Sequence, residues 1–405
     1  MTPDPATASS TRWGVVFLIL FAGSVGAAQL GKLPGALPEI RADLNIGLVT
    51  AGWIISTFVL IGAICSVAAG MTGDRFGHRR ILLIGIALVA FGSLAGATAP
   101  DSFTLIPSRI VEGLGYIAII STGPALITRS VADRHRAMAF GVWSFYMPFG
   151  MASMVALSPV LISATGSWRG LWVINGVLAA IALLGLMHAL RGERFRPVPN
   201  NNPVGLRDVW RTVSGAGPWV VAIAMGSYSL VYLSSMAFLP TFLIEREGFQ
   251  AGTASLLIGF AIFMNAPGCF VGGWLLKRNV PAWLGIAVAH AGMAICAAGL
   301  YQEDITFELR YALALALPFC GGLIPPIVLA RAQVHAPSPA LYGTTMGLVI
   351  QVVSIGQFVG PPAMAALVAA TGDWQSGAWL TVIACVLGFS TAPMLRYLDR
   401  RAGLV

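Results

Sequence analysis

Twelve stretches of roughly twenty residues, each nearly free of charge, follow one another along this chain. They lie near 13–37, 46–70, 81–100, 104–128, 137–163, 170–190, 217–243, 251–276, 282–301, 309–330, 340–370 and 375–395. A helix needs about 20 mostly apolar residues to cross the hydrocarbon core of a bilayer. Soluble domains carry about a quarter charged residues, whereas here only 10% are charged and 57% are apolar. The fold class expected is therefore an all-α membrane protein of twelve transmembrane helices. The run after Arg12 is too long for a secretory signal and reads as the first of them. Cys65, Cys269, Cys296, Cys320 and Cys385 all fall inside the runs, without disulfide pattern or metal spacing, as small core residues would.

The net charge of +8 is distributed as a topology signal. With both ends placed inside, the inner segments hold eighteen basic residues, among them Arg12, Arg75, Arg79, Arg80, Arg129, Arg207, Arg278, Arg331 and Arg401. The outer segments hold Arg41, Arg169, Arg246 and Arg310, together with most of the acids, including Glu39, Asp43, Glu245 and Glu247. Basic residues gather on the cytoplasmic side of membrane proteins. This reading expects an even number of spans, cytoplasmic termini, a cytoplasmic (inner) membrane and no nucleic-acid partner.

The chain also repeats itself. Ala164-Thr165-Gly166-Ser167-Trp168 recurs 206 positions later as Ala370-Thr371-Gly372-Asp373-Trp374. The same offset pairs Trp13 with Trp219, Leu33-Pro34 with Leu239-Pro240, Gly141 with Gly347 and Gly150 with Gly356. An offset of six helices relates parallel halves by an axis along the membrane normal. Two pseudo-symmetric six-helix bundles are expected, 1–190 and 217–405, joined by a polar cytoplasmic linker over 191–216. Within that linker Leu206, Val209, Trp210 and Val213 follow helical spacing beside Arg207 and Arg211, consistent with a short helix on the inner leaflet.

The loop between the second and third runs reads Gly70-Met71-Thr72-Gly73-Asp74-Arg75-Phe76-Gly77-His78-Arg79-Arg80. It resembles the signature loop of the major facilitator superfamily, with His78 in place of the usual basic residue. Gly273 and Lys277-Arg278 form a decayed copy in the second half. Small residues let helix ends approach closely, and Arg79 and Arg80 suit anionic headgroups. The resemblance implies that Gly70, Gly73, Asp74, Arg75, Gly77, Arg79 and Arg80 gate the halves on the inner side; simple anchoring accounts for the arginines alone. Arg109, Glu112, Gly113 and Gly115 resemble the family's fourth-helix pattern, with Glu112 where glutamine is usual. Gly347-x8-Gly356-x3-Gly360-Pro361 in the eleventh run looks like the family's antiport signature displaced from the fifth; close helix packing is its other reading.

Ionisable groups at membrane depth are functional candidates by default. Arg109 and Glu112 are three apart on one face and can pair, either statically or as the proton-coupling group. Lys32, with Gln29 nearby, either faces a central cavity or snorkels to the outer interface. In the family the first, fourth, seventh and tenth helices line that cavity, which makes Lys32, Gln29 and Arg109 substrate-binding candidates. Tyr146, Tyr228, Tyr232 and Gln351, polar groups at depth on the fifth, seventh and eleventh runs, are further candidates, with packing as their other reading. His188 and His290 read as structural. No phosphate-cradling glycine loop, zinc spacing or nucleophile elbow occurs, so no enzyme activity, metal or cofactor is expected. The resemblance implies a monomeric secondary transporter moving a small solute by alternating access. Lys32 and Arg109 against a single deep carboxylate favour an organic anion, the proton then being carried by Glu112 or by the substrate itself. Export of a drug or metabolite by proton antiport is the alternative.

Overall fold

The computed structural model describes residues 11–64, 66, 77–191, 206–302, 304–338 and 341–403. Among them, eleven helices are long and apolar enough to cross a bilayer. We label the helices α1 (Trp13–Asp43), α2 (Leu48–Thr57), α3 (His78–Ala97), α4 (Ser102–Ser130), α5 (Met138–Thr165) and α6 (Arg169–Ala189), then α7 (Ala216–Glu245), α8 (Ala251–Lys277), α9 (Ala282–Leu300), α10 (Phe307–His335), α11 (Tyr342–Thr371) and α12 (Trp374–Arg401). The shorter α2 is followed by a turn at Phe58 and Val59 and by further helical residues. A separate linker helix spans Leu206–Val213, where the spacing of apolar residues places one.

Helix boundaries follow local chemistry. Asp101 caps α4 by accepting from the Thr104 amide at 2.8 Å, and Asp373 caps α12 by accepting from the Gln375 amide at 2.8 Å. Gly166 and Gly372 end α5 and α11 with φ of 74° and 72°, left-handed values that glycine adopts without penalty. These two residues are 206 apart. The turn at Phe58 after α2 and the break at Met264 in α8 are separated by the same interval.

Packing repeats as well. α1 lies along α5 as α7 lies along α11, and α3 packs on α6 as α9 packs on α12. A Cβ on Gly150 would stand 2.2 Å from the Ser24 carbonyl oxygen, and one on Gly356 would stand 2.6 Å from that of Gly226. The glycines of the eleventh span therefore permit close approach to α7, which is the packing reading of that motif. Two pseudo-symmetric helical bundles result.

Between the bundles, α5 packs on α8, α2 on α11 and α1 on α7. The contacts gather toward the end that carries Asp43. A Cβ on Gly52 would meet the Pro362 backbone at 2.9 Å, and one on Gly259 would meet the Ala152 carbonyl at 2.9 Å. Arg41 of α1 and Glu245 of α7 form an ion pair of 2.6 Å there. Toward the other end, a Cβ added at Gly141, Gly273 or Gly343 would have nothing within 4 Å. Phe145 and Phe149 of α5 are about half exposed on that side (50% and 55%). Among the described residues, the contacts named between the halves gather at the end that carries Asp43.

Several boundaries differ from the sequence reading. α1 remains helical through Glu39, Arg41 and Asp43, which the charge distribution places in a loop. Arg310, which the charge distribution assigns to an outer segment although the tenth run includes it, is buried in the first turn of α10, donating to the Leu300 and Gln302 carbonyls at 2.7 and 2.8 Å. Its guanidinium satisfies the carbonyl groups left open at the end of α9, a local demand invisible to a count of charges.

Candidate functional site

Four helices of the first half converge on one carboxylate. Glu112 of α4 is fully buried, as are Lys32 and Gln29 of α1, Arg109 of α4 and Ser93 of α3. The Lys32 ammonium donates to Glu112 Oε1 at 2.5 Å and to Ser93 Oγ at 3.1 Å. It also sits 4.1 Å from the ring centroid of Trp172 on α6, a desolvated cation–π contact. Arg109 donates to Glu112 Oε2 from one terminal nitrogen and to the Gln29 carbonyl at 2.9 Å from the other. Gln29 and Asn175 complete the network: Gln29 Nε2 donates to Asn175 Oδ1 at 3.3 Å and to the Val25 carbonyl at 3.1 Å.

The local sequence dictates this convergence. Arg109 and Glu112 share a face of α4 by their spacing of three. Gly92 beside Ser93 lets α3 close on α4, since a Cβ there would meet Glu112 Cγ at 2.8 Å. Gly113 does the same for α2, where a Cβ would collide with the Phe58 carbonyl. Lys32 therefore neither snorkels nor stands alone; its ammonium is held inside the first bundle. Ser93 Oγ is within bonding distance of both Gln29 Oε1 (3.0 Å) and Glu112 Oε1 (2.9 Å). Its single proton serves only one of these acceptors at a time.

The charge count decides the chemistry. With Glu112 ionised the cluster carries two cations and one anion. Protonating Glu112 would leave two buried cations without a counter-charge, which costs several kcal/mol unless one moves away or an anion arrives.

The remaining candidates form two aromatic groups outside this cluster. Tyr146 of α5 stacks on Trp143 with centroids 4.5 Å apart, and Tyr116 of α4 packs on Phe58 at 5.2 Å. In the second half Tyr228 and Tyr232 of α7 lie 5.7 Å apart, and Asn265 at the break in α8 donates to the Tyr228 hydroxyl at 2.9 Å. Gln351 is half-buried on α11. Among the described residues no hydrogen bond joins these groups to the Lys32–Glu112 cluster. Of the loop candidates, Gly70, Gly73, Asp74 and Arg75 lie outside the described residues. Gly77 precedes α3 with φ of 88°, and Arg79 and Arg80 occupy the first turn of that helix.

Sequence reasoning missed Ser93, Trp172 and Asn175, although an asparagine within an apolar span is itself a signal. It also missed Asp399, fully buried on α12, which His335 contacts at 2.9 Å and Arg331 at 3.5 Å. His290 is buried and its Nδ1 lies 3.0 Å from the Ile286 carbonyl, in line with a structural role.

A doubled helical bundle of this kind, with ionisable side chains buried within its spans, defines a polytopic membrane transporter. The family model of the Major Facilitator Superfamily matches residues 13–361. The chain belongs to that superfamily, whose members are transporters and not enzymes. It is 26% identical over 248 residues to the multidrug resistance protein Stp of Mycobacterium tuberculosis, covering 60% of this chain and 41% of that one. It is 29% identical over 170 residues to the galactose-proton symporter of Escherichia coli, covering 42% and 36%. With the puromycin resistance protein of Streptomyces alboniger it shares 31% over 193 residues, covering 47% and 37%. The aligned stretches thus span about two fifths of these relatives' own lengths. A bacterial homologue of the human lysosomal transporter Spinster, in an inward-facing and unoccupied conformation, superposes with a TM-score of 0.79 at 15% identity, covering 98% of each chain.

Proposed function

We propose that this protein is a proton-coupled secondary transporter that carries a small organic anion by alternating access. The observation behind this reading is the buried carboxylate shared by two buried cations, Glu112 with Lys32 and Arg109. Proton uptake on Glu112 raises the cluster from one surplus positive charge to two, and one arriving anion returns it to one. Proton and anion therefore favour each other's arrival, and this is the energetic basis of symport. At an effective dielectric of about 20, a surplus charge about 10 Å away still stabilises an anion by roughly 1–2 kcal/mol and disfavours a cation equally. The symporter among the relatives supports proton coupling.

In this reading the bundles comprise residues 1–190 and 217–405, with the linker and both termini on the cytoplasmic side of a cytoplasmic membrane. The end closed by Arg41 and Glu245 is then the outer one, and the conformation is inward-facing, like that of the Spinster homologue. Gly77, Arg79 and Arg80, with the residues before them, act on the inner side.

A second reading, export of an uncharged aromatic compound by proton antiport, is favoured by Tyr116, Tyr146, Tyr228 and Tyr232 and by the resistance proteins among the relatives. Vesicles with an imposed pH gradient separate the two. Acid-outside gradients drive accumulation of small organic acids in the first reading, and Lys32→Ala abolishes it. Uptake unchanged by Lys32→Ala removes the anion role of that residue.

A further inference from the structure

The two ends of the molecule treat their arginines differently. At the end closed between the halves, three are matched to a carboxylate: Arg41 to Glu245 at 2.6 Å, Arg169 to Asp43 at 2.6 Å and Arg310 to Glu247 at 3.1 Å. The last two also lie over the Trp168 and Phe242 rings, and Arg246 donates to the Gly372 carbonyl at 2.9 Å. At the opposite end of the second half, Arg331 pairs with Asp399 at 3.5 Å, and three further arginines lie on aromatic rings with no carboxylate. Arg278 is 5.2 Å from the Trp274 ring, Arg396 is 4.8 Å from Trp283 and Arg401 is 4.7 Å from Tyr397. All three arginines are exposed, and among the described residues none of them is in an ion pair. Such pairs place a charge at the level of lipid headgroups and a flat ring just beneath it.

The linker helix continues this rim. It packs on α7 and α11 with Thr212 buried, and the Trp219 indole donates to the Val213 carbonyl at 2.7 Å. Trp210 stays 72% exposed, with Arg207 and Arg211 exposed beside it. An aromatic side chain left uncovered and flanked by cations is poorly placed in water and well placed at a bilayer surface.

We infer that the linker helix and the adjoining arginine–aromatic rim of the second half form a binding surface for anionic phospholipid. The two linker arginines hold headgroup phosphates and Trp210 enters the acyl boundary. This inference rests on the inner-side placement proposed above, but its test requires neither a substrate nor transport. The linker and α7 then sit at a fixed depth in the inner leaflet, and the second bundle is anchored against it while the first moves.

The test uses the full chain purified in detergent, titrated with phosphatidylglycerol or phosphatidylcholine and read by native mass spectrometry. Wild-type protein should retain phosphatidylglycerol in preference. Each basic residue near an anionic surface contributes about a fivefold factor, so Arg207→Gln with Arg211→Gln should lower that preference by about 25-fold. Arg207→Lys with Arg211→Lys should largely preserve it. Independently of any variant, tryptophan fluorescence of the wild type should be quenched more by brominated phosphatidylglycerol than by brominated phosphatidylcholine. Equal retention by wild type and the glutamine variant, or equal quenching by the two lipids, would overturn the inference. Displacement of the lipid by excess inorganic phosphate would likewise overturn it, since that marks a free-phosphate site.

Discussion

Replacing Glu112 and replacing Lys32 should have unequal consequences, although the two residues share one ion pair. Glu112→Gln leaves Lys32 and Arg109 as two buried cations around a neutral amide. Removing one partner of a buried pair costs about 3–5 kcal/mol because the other charge is left uncompensated. Lys32→Met leaves the Arg109–Glu112 pair, whose charges cancel. It forfeits the ion pair with Glu112, the Ser93 hydrogen bond and the contact with Trp172 at 4.1 Å, together worth several kcal/mol (on the order of 3–5). It also removes the desolvation cost of one buried cation, several kcal/mol, so the net change should stay within about 1 kcal/mol. The expected gap of about 3 kcal/mol corresponds to roughly 6 °C at about 2 °C per kcal/mol for a long chain. Thermal unfolding in detergent, followed by tryptophan fluorescence, measures it. Lys32→Met proving as destabilising as Glu112→Gln would refute the charge count on which proton–anion coupling stands.

Arg41→Gln removes the exposed pair between the halves, worth about 0.2–1 kcal/mol. It should shift the population toward opening at that end by up to about fivefold, read as a longer distance between spin labels on the ends of α1 and α7. Gly113→Ala forces a methyl group into the Phe58 carbonyl and should cost at least 1–3 kcal/mol, on the order of other overpacked sites. Gly141→Ala, with open space around it, should leave the unfolding midpoint unchanged. Asp101 titrates below the ordinary aspartate range because the Thr104 hydroxyl and then the Thr104 amide donate to it. A depressed folded-state value means that its capping contribution is present above the unfolded aspartate range and is lost as pH falls through the folded one. The acid-side decline in stability should therefore shrink in Asp101→Asn.

The helix count, the duplication and the linker helix were legible because each is written as a period: about twenty apolar residues, an offset of 206, and apolar positions three and four apart. The Arg109–Glu112 pair was legible from its spacing within one helix. The partnership of Lys32 with Glu112 was not, since 80 residues separate them and only the closing of α3 on α4 through Gly92 and Gly115 sets the distance. Ser93 gave no signal of its own: a serine in an apolar span ordinarily bonds back to its own helix, and its role here depends on side chains from two others. Arg310 and Asp399 were misread or overlooked for a related reason. Charge near a span end looks like a loop until the neighbouring helices are seen to cover it.

Substrate-linked proton movement is the sharpest check on Glu112 as the coupling group. In proteoliposomes enclosing a pH-sensitive dye, a panel of small organic acids should include at least one whose addition moves protons with wild-type protein. Glu112→Gln should abolish that signal while still exchanging the same labelled acid across the membrane. Proton movement persisting in Glu112→Gln would contradict the assignment of the coupling site.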